Sequence, residues 1–144
     1  KAPDGASKEN PTEAAWIARL LEGLLDAGEL RQKDIGIITP YAGQVRAIRD
    51  SVPERYDGVE VRTVDGYQGR EKEVILFSCV RSNSEGNVGF LADSRRLNVA
   101  LTRAKRGLIV IGDPETLRCD EDWSAWLEHV RSRKLEAWHL LGMA

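Results

Sequence analysis

The sequence predicts an open, doubly wound α/β domain, in which helices cover both faces of a parallel β-sheet. Strand-length apolar runs alternate along the chain with segments at helical spacing, which is the order of repeated βα units. Three of the four runs are nearly continuous in apolar residues, as is typical of strands buried on both faces. The runs lie at residues 35–39, 59–64, 74–80 and 108–112.

The length and composition are typical of a single globular domain. The chain has 144 residues, of which 42% are hydrophobic and 31% are charged. No apolar run approaches the roughly 20 residues that cross a bilayer. Residues 1–9 are polar and contain Pro and Gly, which favours a linker or a frayed end. Because the chain starts at Lys1 without a leader, we expect residues 10–144 to be a domain taken from a longer protein.

The first helix has a clear start signal. Asn10 suits the N-cap, Pro11 suits the first helical position, and Glu13 completes the spacing of a capping box. Gly28 is a candidate for the end of the helix. Its apolar stripe consists of Ile17, Leu20, Leu21, Leu24 and Leu25.

Helical spacing recurs between and after the later strands. Residues 41–52 and 93–107 form two such segments, and the second leads directly into the last apolar run. A final helix is predicted near the end of the chain, where Trp123 and Trp126 contribute to an apolar stripe.

The charge is distributed unevenly along the chain. The formal net charge is −2, but residues 62–106 carry nine basic and five acidic side chains, whereas both flanking segments are acidic. A local positive field of this size is compatible with binding to phosphate or nucleic acid.

The cysteines and histidines point to no metal or disulfide site. Cys79 and Cys119 lie 40 residues apart without a Cys-x-x-Cys motif or clustered histidines. Cys79 falls within an apolar run, so we expect an inert thiol in the core and a reducing, intracellular setting.

Unusual residues follow the first two apolar runs. Thr39 and Pro40 stand at the end of the first. Pro40 also has an ordinary structural interpretation, as the first residue of a helix.

The stretch "VDGYQGREKE", residues 64–73, follows the second run. A solvated turn is one interpretation of it. The other is a ligand-binding loop, because its glycines, Gly66 and Gly69, permit left-handed backbone and close approach to a ligand, while Gln68, Arg70 and Glu71 supply donors and an acceptor.

Two arginines flank the apolar face of the helix predicted at 93–107. Arg96 and Arg103 fall together at the edge of this face. An arginine at the rim of a core is often paired with a carboxylate. The alternative is a phosphate clamp, for which the planar guanidinium is well suited.

Motifs for complete nucleotide hydrolysis are missing from this sequence. It contains no G-x-x-x-x-G-K-[ST] loop and no acidic pair after an apolar strand for magnesium. It also lacks a G-x-S-x-G elbow and a Cys-His pairing. The chain alone therefore cannot be a complete nucleotide hydrolase.

Three segments, in this order, resemble the superfamily-1 RNA/DNA helicases related to the nonsense-mediated-decay helicase, senataxin and the immunoglobulin-μ-binding helicase. "GIITPYAGQ" is similar to motif IV of that family, "TVDGYQGREKEVILFSCVRS" to motif V, and "GFLADSRRLNVALTRAKRGLIVIGD" to motif VI. The resemblance implies the second RecA-like domain of such a helicase, a P-loop NTPase fold without its own P-loop.

The resemblance also implies roles for individual residues. It implies contacts to a nucleic-acid strand from Thr39, Pro40, Thr63 and Val64. It implies an ATP-binding set formed by Gln68, Gly69, Arg70 and Glu71, in which Gln68 and Arg70 link the nucleotide to the strand. Arg103 matches the arginine finger that reaches the γ-phosphate, and Arg96 matches an arginine that couples the motifs structurally.

The implied function is that of the C-terminal motor domain of an ATP-dependent 5′-to-3′ helicase or translocase. ATP and Mg²⁺ would be held mainly by an N-terminal RecA-like domain of the same protein, and this chain alone would be inactive. Single-stranded RNA or DNA and protein regulators are the other implied partners, in the cytoplasm or the nucleus. One alternative is a non-catalytic RecA-like module that binds nucleic acid or protein. A receiver- or flavodoxin-type domain is disfavoured, because no acidic or glycine-rich signature follows the first strand.

Overall fold

A four-stranded parallel sheet forms the centre of the domain. The structure is a computed structural model that describes residues 9–67, 71–80 and 102–112, together with residues 121, 124, 125 and 128. The strand order is β2-β1-β3-β4, and all neighbouring pairs are parallel. This confirms the predicted α/β class, since the order is that of a doubly wound sheet. The strands are β1 (Ile35–Thr39), β2 (Glu60–Thr63), β3 (Lys72–Ser78) and β4 (Ala104–Ile111).

Two α-helices pack on one face of this sheet. Helix α1 (Pro11–Asp26) precedes β1 and contacts β3 and β4, whereas α2 (Ala42–Ser51) connects β1 to β2 and packs against both. The two helices also contact each other. Single 3-10 turns at Gln32–Asp34 and Glu54–Tyr56 complete the connections. The ends of both helices lie within two residues of those predicted from the sequence.

The core is built from alternate side chains of the strands and from the inner stripes of both helices. Its most deeply buried members are Ala14, Ile17, Leu21, Ile35, Ile37, Ile48, Leu76 and Ile111. Successive side chains of a strand point to opposite faces. Ile38, Ile75 and Phe77 therefore belong to the other face, and they too are fully buried. The central strands are thus covered on both faces, as their continuous apolar runs predict.

The start of α1 agrees with the sequence in its cap but not in its capping box. Asn10 accepts a hydrogen bond from the backbone N–H of Glu13 at 3.1 Å, which is the expected N-cap interaction. A capping box also requires the Glu13 side chain to bind the backbone N–H of Asn10. That N–H instead donates to Gln44 Oε1 at 2.8 Å, and the carboxylate of Glu13 binds residues at the end of β3. The capping-box interpretation of Glu13 is therefore wrong.

Strand β4 begins four residues earlier than its apolar run suggests. Residues 104–107 are extended, so the prediction that the helix at 93–107 continues to residue 107 is wrong. The register shifts between Lys72 and Val74, which places Lys105 and Arg106 beside Glu73 on β3. Both cations form ion pairs with Glu73, at 3.7 and 2.8 Å. Charged residues extend this strand beyond its buried part, and apolar patterning does not detect them.

Several predicted elements lie outside the described residues. These are the rest of the helix predicted at 93–107 and the stripe that includes Trp123 and Trp126. Residues 121, 124, 125 and 128 are helical, at positions within the final predicted helix. The division into a linker at 1–9 and a domain at 10–144 stays a prediction.

Candidate functional site

The residues predicted to contact a nucleic-acid strand meet at the carboxyl edge of the sheet. Thr39 is the last residue of β1 and pairs in register with Thr63, the last residue of β2. The backbone N–H of Val64 then donates to the carbonyl of Thr39 at 3.0 Å. Thr63 Oγ1 accepts a hydrogen bond from the N–H of Gly66 at 3.0 Å, which bends the chain away from β2. The structure thus brings Thr39, Thr63 and Val64 together.

The start of α2 adds backbone donors at the same edge. Helix α2 begins at Ala42, after Tyr41 in the N-cap position, so the interpretation of Pro40 as the first helical residue is wrong. In the part of the chain that the structure describes, no side chain caps this helix end. The Thr39 hydroxyl is buried and has no hydrogen-bond partner among the described residues. An uncapped helix N-terminus beside a hydroxyl is chemically suited to an anion such as a phosphate.

Burial limits how Thr39, Pro40 and Val64 contact a ligand. The side chains of all three are buried, while Thr63 is partly exposed. Backbone and side chain of Thr39 are both buried, so Thr63 is the one of these four residues that is open to a strand in this conformation.

A short segment without a described helix or strand leads from the carboxyl edge of β2 to the amino edge of β3. Residues 64–71 lead from the end of β2 to the start of β3, and because β1 lies between these strands, the segment crosses β1. Tyr67 marks the path of the crossing, since its hydroxyl lies 3.4 Å from the position that a Cβ on Gly36 would occupy. Gly36 lies between Ile35 and Ile37, whose side chains belong to the core, so position 36 faces the opposite side of the sheet. The end of the Tyr67 side chain therefore lies on the face opposite α1 and α2.

The need for Gly66 is steric. Among the described glycines only Gly28 has a positive φ, so Gly66 does not adopt the left-handed backbone that glycine permits. A Cβ on Gly66 would lie 3.0 Å from Thr63 Oγ1, the atom that accepts its N–H. A side chain at position 66 would therefore force Thr63 Oγ1 to shift by a few tenths of an ångström.

Two residues predicted to serve the nucleotide lie side by side at the opposite, amino edge. The backbone N–H of Lys72 donates to the carbonyl of Arg103 at 3.0 Å, so Glu71 and Arg103 directly precede two paired strands. Glu71 is exposed and Arg103 is half-buried. Arg103 lies in a turn before β4 and not on the edge of a helix, which corrects the placement expected from helical spacing.

These two residues lie away from the usual ligand position of the fold. Ligands of open α/β sheets generally gather at the carboxyl ends of the strands. Thr39 and Thr63 conform to this rule, whereas Glu71 and Arg103 lie at the other edge. The candidate site is therefore two separate surfaces joined by residues 64–71.

Ion pairs fix the amino edge around the crossing. Lys72 extends from β3 across Gly36, with its Cγ 3.1 Å from the position of a Cβ there. Its ammonium group donates to the carbonyl of Lys33 at 3.0 Å and pairs with Glu60 of β2 at 3.4 Å. Glu60 also pairs with Arg62 at 3.2 Å. Lys72 thus ties β3 to β2 and to the turn before β1.

Sequence reasoning missed a buried polar cluster at the carboxyl edge between β1 and β3. Glu13 is 3% exposed, and its Oε1 accepts hydrogen bonds from Ser78 Oγ at 2.7 Å and from the N–H of Val80 at 3.0 Å. Gln44 is fully buried and donates to Ser78 Oγ at 3.0 Å and to the carbonyl of Asn10 at 3.1 Å. The sequence signal was weak, because Asn10 and Glu13 also satisfy the local pattern of a helix start.

The thiol expected in the core lies in the same region. Cys79, the residue after β3, is fully buried, which confirms its predicted place in the core. Burial, with the negative charge of Glu13 nearby as a smaller cause, raises the pKa of the Cys79 thiol well above its ordinary value of 9.0.

Four of the predicted site residues lie outside the described part of the chain. These are Gln68, Gly69, Arg70 and Arg96. Within the described residues, no cluster of three or more His, Cys, Asp or Glu side chains is arranged to hold a metal ion. Across the same residues, no helix has the length and apolar character needed to cross a membrane.

Comparison with known proteins gives a consistent family. A family model described as an AAA domain matches residues 1–115. The regulator of nonsense transcripts 1 homolog of Neurospora crassa is 47% identical over 137 residues, which cover 90% of this chain and 12% of that protein. The DNA polymerase alpha-associated DNA helicase A of Schizosaccharomyces pombe is 48% identical over 130 residues, 90% of this chain and 20% of that protein. The DNA-binding protein SMUBP-2 of Mus musculus is 46% identical over 114 residues, 79% of this chain and 11% of that protein.

The sheet order and the motifs at its two edges define a RecA-like α/β domain. The chain belongs to the AAA domain family, as a second RecA-like domain of the superfamily-1 helicases related to the regulator of nonsense transcripts 1. It spans between 11% and 20% of the length of the three relatives described above.

Proposed function

We propose that this chain is the C-terminal motor domain of an ATP-dependent helicase or translocase that moves 5′-to-3′ along single-stranded nucleic acid. It would supply an arginine finger and strand contacts to an N-terminal RecA-like domain of the same protein. The relatives named as helicases support this class of activity, and the names of others refer to nonsense transcripts or to DNA binding.

One observation carries the proposal. Residues 64–71 connect the carboxyl edge, where Thr39 and Thr63 lie in register, to the amino edge, where Glu71 lies beside Arg103. A motor needs its strand grip and its nucleotide contacts to move together. This continuous segment provides a short mechanical connection between two such surfaces.

The carboxyl edge would hold the strand by its backbone. The uncapped start of α2 provides backbone donors suited to a phosphate. Contacts of this kind position a nucleic acid without reading its sequence, as a translocase requires. Pro40, Thr63 and Val64 complete this proposed surface.

The amino edge would complete an ATP site across a cleft between two domains. ATP and Mg²⁺ would be held mainly by the other domain, while Arg103 stabilises negative charge on the transferred phosphoryl group. Such a finger accelerates hydrolysis by about 10³–10⁵ in well-studied NTPases. Glu71, with Gln68, Gly69 and Arg70, would contact the nucleotide, and Arg96 would couple this motif to the sheet.

The second candidate is a non-catalytic RecA-like module that binds nucleic acid or protein. A domain without catalysis has no need of Glu71 and Arg103 at adjacent strand starts. Their adjacency therefore favours the motor. Protein regulators and a location in the cytoplasm or the nucleus are part of the same proposal.

The test uses the full-length protein that contains this domain. ATP turnover is measured without nucleic acid and with single-stranded RNA or DNA, and unwinding is measured on duplexes with either a 5′ or a 3′ overhang. We expect strand-stimulated turnover and unwinding only from the 5′ overhang. Strand binding without stimulated turnover would support the non-catalytic module, and unwinding from the 3′ overhang alone would refute the proposed direction.

A further inference from the structure

A strained residue lies where the chain leaves β3. Val80 has a φ of 72°, a left-handed conformation that is unfavourable for a β-branched side chain. Its N–H donates to Glu13 Oε1 at 3.0 Å, and its carbonyl accepts from Asn10 Nδ2 at 3.2 Å. Both backbone groups of Val80 are thus held from the start of α1, and strain of this type persists only where surrounding contacts impose it.

The contacts that hold Val80 lie at the switch point of the sheet. In the order β2-β1-β3-β4, the connections from β1 and β3 leave in opposite directions, and the crevice between them is the usual ligand position in doubly wound folds. Here the buried carboxylate of Glu13 and the buried amide of Gln44 lie near the carboxyl ends of β1 and β3 and are joined through Ser78 Oγ.

The same cluster reaches the proposed strand surface. Ser78 Oγ donates to Glu13 and accepts from Gln44, which lies in the first turn of α2. That turn follows Thr39 and Pro40 closely. Two hydrogen bonds thereby connect Glu13 to the first turn of the helix that follows this loop.

We propose that Glu13 is a positioning residue for nucleic-acid binding: its carboxylate fixes the left-handed turn at Val80 and the start of α2 in one arrangement. This inference rests on the function proposed above. It concerns the strand surface, and it leaves the nucleotide contacts at the amino edge unchanged.

The test is Glu13→Ala in the full-length protein, with single-stranded RNA or DNA as the titrant of ATP turnover. We expect the nucleic-acid concentration for half-maximal stimulation to rise roughly tenfold, because the hydrogen bonds from Ser78 Oγ and the N–H of Val80 to Glu13 are lost. The KM for ATP should stay within about twofold of the parental value. Glu22→Ala is the matched control, since Glu22 lies on the same helix and its exposed side chain pairs only at the surface with Arg55 among the described contacts.

This readout separates positioning from simple loss of folded protein. A smaller folded fraction lowers turnover per total protein but does not change the half-saturating nucleic-acid concentration. Glu13→Gln should restore most of the affinity, because the amide oxygen still accepts from Ser78 and Val80. An unchanged half-saturating concentration in Glu13→Ala, with parental stimulation present, would overturn the inference.

A second variant tests the route through Val80. Glycine adopts a φ of 72° without steric cost, so Val80→Gly should partly rescue the affinity of Glu13→Ala. A double variant no better than Glu13→Ala would overturn the role assigned to this turn. Failure of the proposed function is distinguishable from both results, because the parental protein would then show no stimulation by nucleic acid.

Discussion

The hydroxyl of Tyr67 lies over Gly36 of β1, 3.4 Å from the position that a Cβ there would occupy. Lys72 and Ile75 approach the same position from β3, at 3.1 and 3.0 Å. Gly36 therefore leaves room on the sheet surface for the hydroxyl of Tyr67 and the side chain of Lys72. The placement of Tyr67 thus depends on a residue of β1, which no pattern around Tyr67 itself indicates.

We expect Gly36→Ala to displace the crossing. A new Cβ at 3.0–3.1 Å from two side chains forces them to move, which should lower the free energy of unfolding by about 1–3 kcal/mol. Urea unfolding of the chain measures this change. In the full-length protein, strand-stimulated ATP turnover should fall as well, because Tyr67 and Lys72 flank the proposed nucleotide loop.

Gly23→Ala is the matched control for this substitution. Gly23 lies in α1, and a Cβ there meets nothing within 4 Å. Alanine should therefore raise the free energy of unfolding by up to about 1 kcal/mol through helix propensity. Equal effects of the two substitutions would contradict the crowding at Gly36.

Lys72→Met tests the ion pair that ties the amino edge together. Methionine keeps an apolar stem over Gly36 but removes the ammonium group, which pairs with Glu60 and donates to Lys33. Lys72 and Glu60 are only 12% and 14% exposed, so we expect a loss of about 1–2 kcal/mol in urea unfolding.

The exposed pair at Arg31 serves as the comparison. Arg31 is 75% exposed and lies 3.9 Å from Asp34, so Arg31→Met should change stability by less than about 0.5 kcal/mol. If the Lys72 variant were as stable as the Arg31 variant, burial of the Lys72–Glu60 pair would have no energetic consequence.

Local patterns predicted the elements that local interactions determine. The cap at Asn10 and the strand at residues 35–39 were predicted correctly, because an N-cap and a continuous apolar run are properties of neighbouring residues. The start of β4 was not, because residues 104–107 are extended where they pair with β3 and where Lys105 and Arg106 meet Glu73. That contact joins residues far apart in the sequence.

The arrangement of the candidate site depended on the same kind of long-range contact. The sequence motifs identify Thr63, Glu71 and Arg103, but not that Glu71 and Arg103 lie at the amino edge of the sheet. That result follows from the strand order, which makes residues 64–71 cross β1. Glu13 was similarly assigned to a helix start, although its carboxylate binds Ser78, 65 positions away.

Cys79 should react with thiol reagents only after unfolding. The measurement uses a Cys119→Ser variant labelled at about pH 8, near the ordinary pKa of a thiol. Because Cys79 is fully buried, labelling should be slow in native conditions. In urea, the rate of labelling should approach that of a free thiol. Rapid labelling of the folded protein would contradict this burial.

The raised pKa of Cys79 also predicts the effect of alkaline pH on stability. The unfolded thiol ionises near its ordinary pKa of 9.0, whereas the folded thiol stays protonated. As the pH rises, the unfolded state therefore loses the thiol proton first. The contribution of Cys79 to the free energy of unfolding is fully present below pH 9.0 and falls as the pH rises above that value. A Cys79→Ala variant should lack this component of the alkaline decline, as urea unfolding at several pH values would measure.

Arg103 is the most direct test of the proposed motor. In the full-length protein, Arg103→Ala should reduce strand-stimulated ATP turnover by about 10³-fold or more while nucleic-acid affinity stays nearly parental. The two properties separate because Arg103 lies at the amino edge and the proposed strand surface lies at the carboxyl edge. Arg106→Ala is the control, since Arg106 is close in sequence but exposed and paired with Glu73.

Lysine at position 103 tests the shape of the contact as well as its charge. Arg103→Lys keeps the positive charge but loses the planar fork that binds two phosphate oxygens, so we expect turnover nearly as low as with alanine. Substantial rescue by lysine would indicate simple charge attraction. If Arg103→Ala instead unfolds the domain or hydrolyses ATP at the parental rate, Arg103 is a structural residue at the rim of the sheet, and Glu71 has no catalytic neighbour at the start of β4.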